Sequence, residues 1–379
     1  MNRASLSFVF AALTTTAIAG ENYLVYYGCY TNPKSGSKGI YVSKFNNASG
    51  ELSAPQLAVE TGSPSFLAVH PSKKYLYAVG EISGPDKKAG GVSAFGIALP
   101  DGKLTLINQA SSVGAGPCHV SVEKTGRMAM IANYGGGSVA SYAIGENGAL
   151  SEAATFVQHE GSSVNPKRQS GPHGHSINSS PDGRFAFACD LGLDKVLIYR
   201  LDPATGKMSA HGHATVPPGS GPRHFAFHPS GNFAFVNNEM LMTVTTFAYD
   251  AEKGALTAVE TVSTLPEADR GKEGFSTAET VAHPNGKVVY VSNRTHDTIA
   301  VFTCDPATGK LTLIQNAPAE GQIPRNFNLD PTGKWMIVAH QNSNTAALFK
   351  VDAETGKLTF TDKKVQVGGC VCVRFLALD

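Results

Sequence analysis

The chain has 379 residues, with 31 Lys and Arg against 30 Asp and Glu and a formal net charge of +1. That balance leaves no electrostatic footprint for nucleic acid or an anionic membrane surface, and it directs attention to a small-molecule or protein partner. Six cysteines, none in a Cys-x-x-Cys pair, are too few for a disulfide scaffold and wrongly spaced for a zinc ribbon.

Residues 1–19 read as a secretory leader, with Arg3 in a positive n-region, an apolar stretch from Leu6 to Leu13, and Ala17-Ile18-Ala19 as the cleavage site. The stretch is too short to span a bilayer, and no later run approaches the roughly 20 apolar residues a spanning helix needs. An exported chain, periplasmic or extracellular and without a membrane span, is expected. Cleavage removes Arg3 alone among the charged residues and leaves 30 of each sign.

From residue 20 to 379 the sequence repeats, so one domain is expected there. A turn written as Gly followed two residues on by Leu or Met recurs at Gly50, Gly102, Gly148, Gly206, Gly254, Gly309 and Gly356, often inside Asp-Pro-Ala-Thr-Gly-Lys. The seven copies lie 52, 46, 58, 48, 55 and 47 residues apart, the period of a four-stranded propeller blade. Between them a strand, a Pro-x-Gly type turn and a second strand recur, at His70-Pro71, Lys124-Thr125-Gly126, Pro181-Asp182-Gly183, Pro229-Ser230-Gly231, Pro284-Asn285-Gly286 and Pro331-Thr332-Gly333. Strands such as Phe233-Ala234-Phe235-Val236 are short and rich in β-formers, which makes each unit a hairpin. This second repeat has six copies, one fewer than the first. The ends supply the missing one: Tyr23 to Cys29 matches a second strand and Val371 to Leu376 a first strand. The fold expected is an all-β, seven-bladed propeller closed by pairing of N- and C-terminal strands, which leaves no open sheet edge at the gap. The same alignment sets Cys29 opposite Cys370, a placement that allows a cross-strand disulfide within the usual Cα limits.

In each repeat the start of the first strand and the end of the second lie at one end of the ring. The starts are Ser65, Cys118, His175, Arg223, Ala278 and Arg325; the ends are Glu81, Tyr134, Leu191, Glu239, Arg294 and Gln341. A structural repeat has no folding reason to carry different ionisable groups at equivalent positions, so the variation points to a ligand site at the channel mouth. An ideal two-residue hairpin pairs Pro222 with Glu239, and pleat alternation would then send Arg223 and Glu239 to opposite faces.

Gly171-Pro172-His173-Gly174-His175-Ser176, Gly221-Pro222-Arg223-His224, Asn238-Glu239, Ser292-Asn293-Arg294 and Pro324-Arg325-Asn326-Phe327 together resemble the motifs of the bacterial 6-phosphogluconolactonase-type propellers, a family that includes the fungal carboxy-cis,cis-muconate cyclase. The resemblance spans essentially the whole mature chain. It implies catalytic roles for His175, Arg223, Glu239 and Arg294, with His173, His224, Arg325 and Asn326 as neighbours that bind substrate. It also implies a hydrolase that opens the lactone of an anionic sugar-derived acid, with muconate-type cyclisation or ligand binding without turnover as the other readings. The residue types suit a small anionic lactone or carboxylate, because arginine offers a fixed fork of donors to an oxyanion and histidine moves protons near neutral pH. No metal or cofactor is called for: the pair His173 and His175 lacks the matching carboxylate or cysteine spacing. His70, His228 and His283 precede the hairpin turn at the far end and read as structural.

Overall fold

The computed structural model describes residues 22–81 and 90–378. The leader proposed for residues 1–19 lies outside the described residues. Seven antiparallel sheets stand around a central channel. Blades 1 to 6 follow in chain order, each of four strands running from the axis outward; blade 1, for example, holds Leu67–Val69, Tyr75–Gly80, Gly91–Ala98 and Lys103–Ser111. Blade 7 takes its innermost strand, Cys370–Leu378, from the C-terminal end and its next, Asn22–Cys29, from the other end of the chain. Those two strands pair antiparallel from Asn22↔Leu378 to Cys29↔Cys370, the closure expected from the repeats. No helix among the described residues is long and apolar enough to cross a membrane.

Burial explains why the second strands lost the alternation usual in sheets. Phe233–Asn238, Phe185–Asp190 and Met128–Asn133 are buried at every position, because each is covered on both faces by neighbouring blades. The outermost strands face solvent, as in the largely exposed Lys207–Thr215. The apolar core is therefore a set of layers between adjacent blades. One joins Tyr23, Val25 and Val373 of blade 7 to Ile337, Ala339 and Leu348 of blade 6; another joins Phe187 and Val196 to Phe225 and Val236.

Both sequence repeats act as locks between blades. The Gly148 turn of blade 2 is left-handed, with φ at 79°, and a Cβ there would lie 2.4 Å from the ring of Tyr75 in blade 1. Only glycine meets both demands. The hydroxyl of Tyr77 donates to the Gly148 carbonyl at 2.9 Å, and Tyr290 treats Gly356 in the same way at 2.8 Å. At the far end, the Nε2 atoms of His70, His228 and His283 bond the hairpin carbonyls of Gly126, Gly286 and Gly333 in the next blade, at 2.8, 2.7 and 3.0 Å. These three histidines are structural, as the sequence indicated.

All six cysteines carry free thiols in the structure. Cys29 and Cys370 are direct cross-strand partners, as the alignment expected, without a bond between them.

Removing residues 371–379 would strip blade 7 of its inner strand, including the buried Val371, Val373 and Leu376. At roughly 1.5–3 kcal/mol for each buried aliphatic side chain, the loss is comparable with the whole stability of a typical domain, about 5–15 kcal/mol. The truncated chain should aggregate or unfold without cooperativity in calorimetry; a soluble truncation with an unchanged transition would refute this closure.

Candidate active site at the channel mouth

A β-bulge or register shift interrupts the two innermost strands at the mouth in blades 2 to 7. In blade 4, Pro222 pairs with Asn238 and His224 with Asn237, leaving Arg223 as the extra residue. Cys118, His175 and Arg325 are left over in the same way in blades 2, 3 and 6. The bulge corrects the simple hairpin register: Pro222 is not opposite Glu239, and the extra residue re-aims its side chain. Arg223 Nε comes within 3.1 Å of Glu239 Oε2 instead of turning to the opposite face. Four of the positions counted as strand starts, Cys118, His175, Arg223 and Arg325, are thus the bulged residues of their blades, gathered around the axis.

Glu239 is the hub of this upper layer. Its Oε1 accepts from Arg168 Nη2 at 2.7 Å and its Oε2 pairs with Arg294 Nη2 at 2.8 Å, with Arg223 as the third cation. Burial alone would raise the carboxyl, but Arg294, Arg223 and Arg168 outweigh it and bring it down to about 2. An acid this strong is ionised throughout the working range, so Glu239 is an anchor for arginines rather than a proton carrier. Arg223 also donates from Nη1 to the Ala278 carbonyl, and Arg294 from Nη2 to Thr277 O at 3.0 Å. The Nε atoms of both arginines are buried without a directed hydrogen bond among the described residues. Burial, followed by Arg325 and Arg294, lowers Arg223 to about 9, which keeps it charged at neutral pH.

Arg325 sits differently. Its guanidinium lies over the ring of Tyr30 at 5.6 Å and makes no hydrogen bond among the described residues. Tyr30 in turn donates to Glu81 Oε2 at 2.9 Å. His175, 4% exposed, lies between Cys118, with Nδ1 3.9 Å from Sγ, and the ring of Tyr134 at 5.4 Å. It is more deeply buried than a strand-end position suggests. Burial first, then Arg223 and other cations, holds its pKa well below the ordinary histidine range. Burial pushes the Cys118 thiol up, so it supplies no thiolate near neutrality. His173 stands at the rim, stacked on Tyr134 at 4.7 Å and bonded through Nδ1 to the Tyr134 carbonyl at 2.9 Å.

A second layer lies one residue further along each inner strand. Phe66, His119, His224, Glu279 and Asn326 meet there, with the rings of His119 and His224 5.5 Å apart and those of His175 and His224 5.3 Å apart. Glu279 Oε1 lies 2.8 Å from His224 Nδ1, and Oε2 accepts from Asn326 Nδ2. The structure therefore brings His175, Arg223, Glu239, Arg294 and Arg325 into one layer, puts His224 and Asn326 beneath them, and leaves His173 on the edge. Sequence reasoning missed Arg168, which comes from the 159–173 connection outside both repeats. It also missed Glu279 and His119, although each occupies the position of His224 in its own repeat.

Four arginines, 168, 223, 294 and 325, face two carboxylates, 81 and 239, so the mouth is cationic in a nearly neutral chain. Fold and mouth define a closed propeller with a cationic site at one end of its channel. The chain belongs to the family described as Lactonase, 7-bladed beta-propeller, whose profile matches residues 24–375. It is 35% identical over 308 residues to the 6-phosphogluconolactonase of Bacillus subtilis, covering 81% of this chain and 85% of that one. A 6-phosphogluconolactonase of Formosa agariphila is 34% identical over 314 residues, covering 81% and 86%. Among solved structures, the periplasmic gluconolactonase of Pseudomonas aeruginosa superposes with a TM-score of 0.87 at 33% identity, over 94% of this chain and 100% of that one.

The buried imidazoles make stability sensitive to acid. His119, His175 and His224 are each lowered, first by burial, so each binds its proton more weakly folded than unfolded. Their contribution is complete above the unfolded value of about 6.5 and is lost as pH falls below it. The Glu239 contribution, by contrast, begins to fade only below about 4.5. Calorimetry should show Tm falling between pH 7 and 5, with a shallower fall in His119→Gln; equal slopes in both proteins would contradict the assignment.

Proposed function

We propose that this protein is an exported hydrolase that opens the lactone of an anionic, sugar-derived acid at the channel mouth. The observation that carries the reading is the gathering of three guanidinium groups, Arg325, Arg223 and Arg294, around a neutral imidazole, His175, with Arg325 making no hydrogen bond among the described residues. Family membership and the names of the relatives support lactone chemistry. The leader pattern and the periplasmic description of the Pseudomonas relative support export.

The chemistry follows from the charges. Arg325, held only by an aromatic face, anchors the substrate's anionic or polyol end. Neutral His175 takes a proton from the attacking water, and the guanidinium groups of Arg223 and Arg294 stabilise the oxyanion that forms at the lactone carbonyl. Glu239 fixes those arginines in place, so that no reorganisation is needed as charge develops. When the intermediate collapses, the ring carbon–oxygen bond breaks and the imidazolium returns its proton to the departing ring oxygen. Water and lactone thus give the hydroxy acid, whose carboxyl proton leaves to solvent. Because His175 is held low, it remains a base below pH 6.5.

Proton release on opening of gluconolactone and its 6-phosphate tests the reading. His175→Ala should lower kcat by roughly 10²–10⁴-fold, while His228→Ala, at the far end of the ring, should retain full activity below its unfolding temperature. A fully active His175→Ala protein would disprove the mechanism.

The arginines should separate in kinetics. Arg325→Ala should mainly raise KM, whereas Arg294→Ala should lower kcat and kcat/KM together, the signature of a contact made in the transition state. An Arg325 variant that loses kcat with KM unchanged would reverse the two assignments.

A further inference from the structure

Below the arginine layer, Glu279 is a carboxylate with no structural reason to be where it is. The same position in other blades holds Phe66, His119, Ser176, Asn326 or Cys372, none of them acidic. Glu279 is 6% exposed, and the only cationic or imidazole partner within 4 Å among the described residues is His224. Its oxygens are fully engaged: Oε1 accepts from Thr280 N at 3.0 Å and faces His224 Nδ1 at 2.8 Å, and Oε2 accepts from Asn326 Nδ2. Two of those donors cannot reverse. Thr280 offers a backbone N–H, and the Asn326 amide is fixed because its Oδ1 accepts Val373 N at 2.8 Å. A carboxylate so arranged takes the His224 proton on Nδ1, which leaves the lone pair on Nε2, an atom with no hydrogen bond among the described residues.

We propose that Glu279 is a positioning residue that keeps His224 in its acceptor form, and that His224 shares with His175 the proton taken from the attacking water. This rests on the reading of the mouth as a lactone-opening site. The groups facing the two imidazoles come from every side: His119, Arg223, Arg294, Arg325 and Arg374, with Glu279 as the nearest anion. Both imidazoles stand among Arg223, Arg294 and Arg325, and His224 also near Arg374, but His224 has a carboxylate 2.8 Å away to compensate an imidazolium. In the step itself, water forms its bond to the carbonyl carbon and gives one proton to the imidazole pair. The ring carbon–oxygen bond then breaks, and that proton passes to the ring oxygen.

Glu279→Gln tests the idea: Thr280 N–H on one oxygen and the Asn326 amide on the other both donate, so a glutamine cannot meet both with oxygen, and the negative charge that holds the His224 proton on Nδ1 is removed. Without that carboxylate the Nδ1–H form of His224 loses its preference, and the share of protein with a free Nε2 lone pair falls. In the lactone assay kcat should fall by about 10²-fold, with KM little changed and the acid limb of the pH–rate profile moved to lower pH by loss of the negative neighbour. Wild-type kcat and an unmoved acid limb would overturn the proposal, provided His175→Ala is impaired; if His175→Ala is also fully active, the lactone-opening reading has failed and takes this proposal with it. Histidine ¹⁵N spectra of the unsubstituted protein give a test independent of any variant's folding: His224 should appear as the Nδ1–H tautomer, and an Nε2–H tautomer would overturn the assignment.

Discussion

Eight backbone pairings, from Asn22↔Leu378 to Cys29↔Cys370, span the one gap in the covalent ring. Everything at the axis depends on that ladder. A channel lined by these bulged residues exists only if the seven inner strands stand at equal footing around it, and an open array would leave the first and last blades free to splay. The ladder also carries Arg374 of the closing strand into position over the ring of Phe66 at 4.4 Å, so the seam contributes to the channel wall.

The bulges turn a structural repeat into a site. Without them the second residue of each of these inner strands would follow the pleat and face a neighbouring blade. With them Cys118, His175, Arg223 and Arg325 leave the ladder and converge. Convergence of cations would be self-defeating without a counter-charge. Glu239, dragged down to about 2 by three arginines, shows how strongly the surrounding positive potential is felt and how it is partly offset. The result is a rigid set of donors with capacity to spare, a preorganised environment for a developing oxyanion.

The architecture was legible in the sequence because its two periodic signals have mechanical causes. The Gly turns recur since only glycine fits against the preceding blade, as at Gly148 on Tyr75, and the hairpin histidines recur since each bonds the next blade's turn. Position in the repeat also found most of the upper layer. Three things escaped it. The bulge at Arg223 depends on local backbone geometry that no residue pattern announces, so the simple register misplaced Glu239. Arg168 belongs to a connection outside the repeats, and reaches Glu239 across 71 residues of sequence. Glu279 lies inside the register shift of blade 5, one residue past the strand start at Ala278, and its meaning emerges only when blades 4, 5 and 6 are brought together around it.

The register of the seam also gives the molecule a front and a back. Asn22 and Leu378 face one another at the end of the ladder remote from Cys29 and Tyr30, which reach the mouth. Chain entry and exit therefore share the rear face of the disc, side by side, while the opening looks the other way. Anything joined directly before Asn22 or after Leu378 would leave from behind the ring, on the side away from the path of a small solute into the channel.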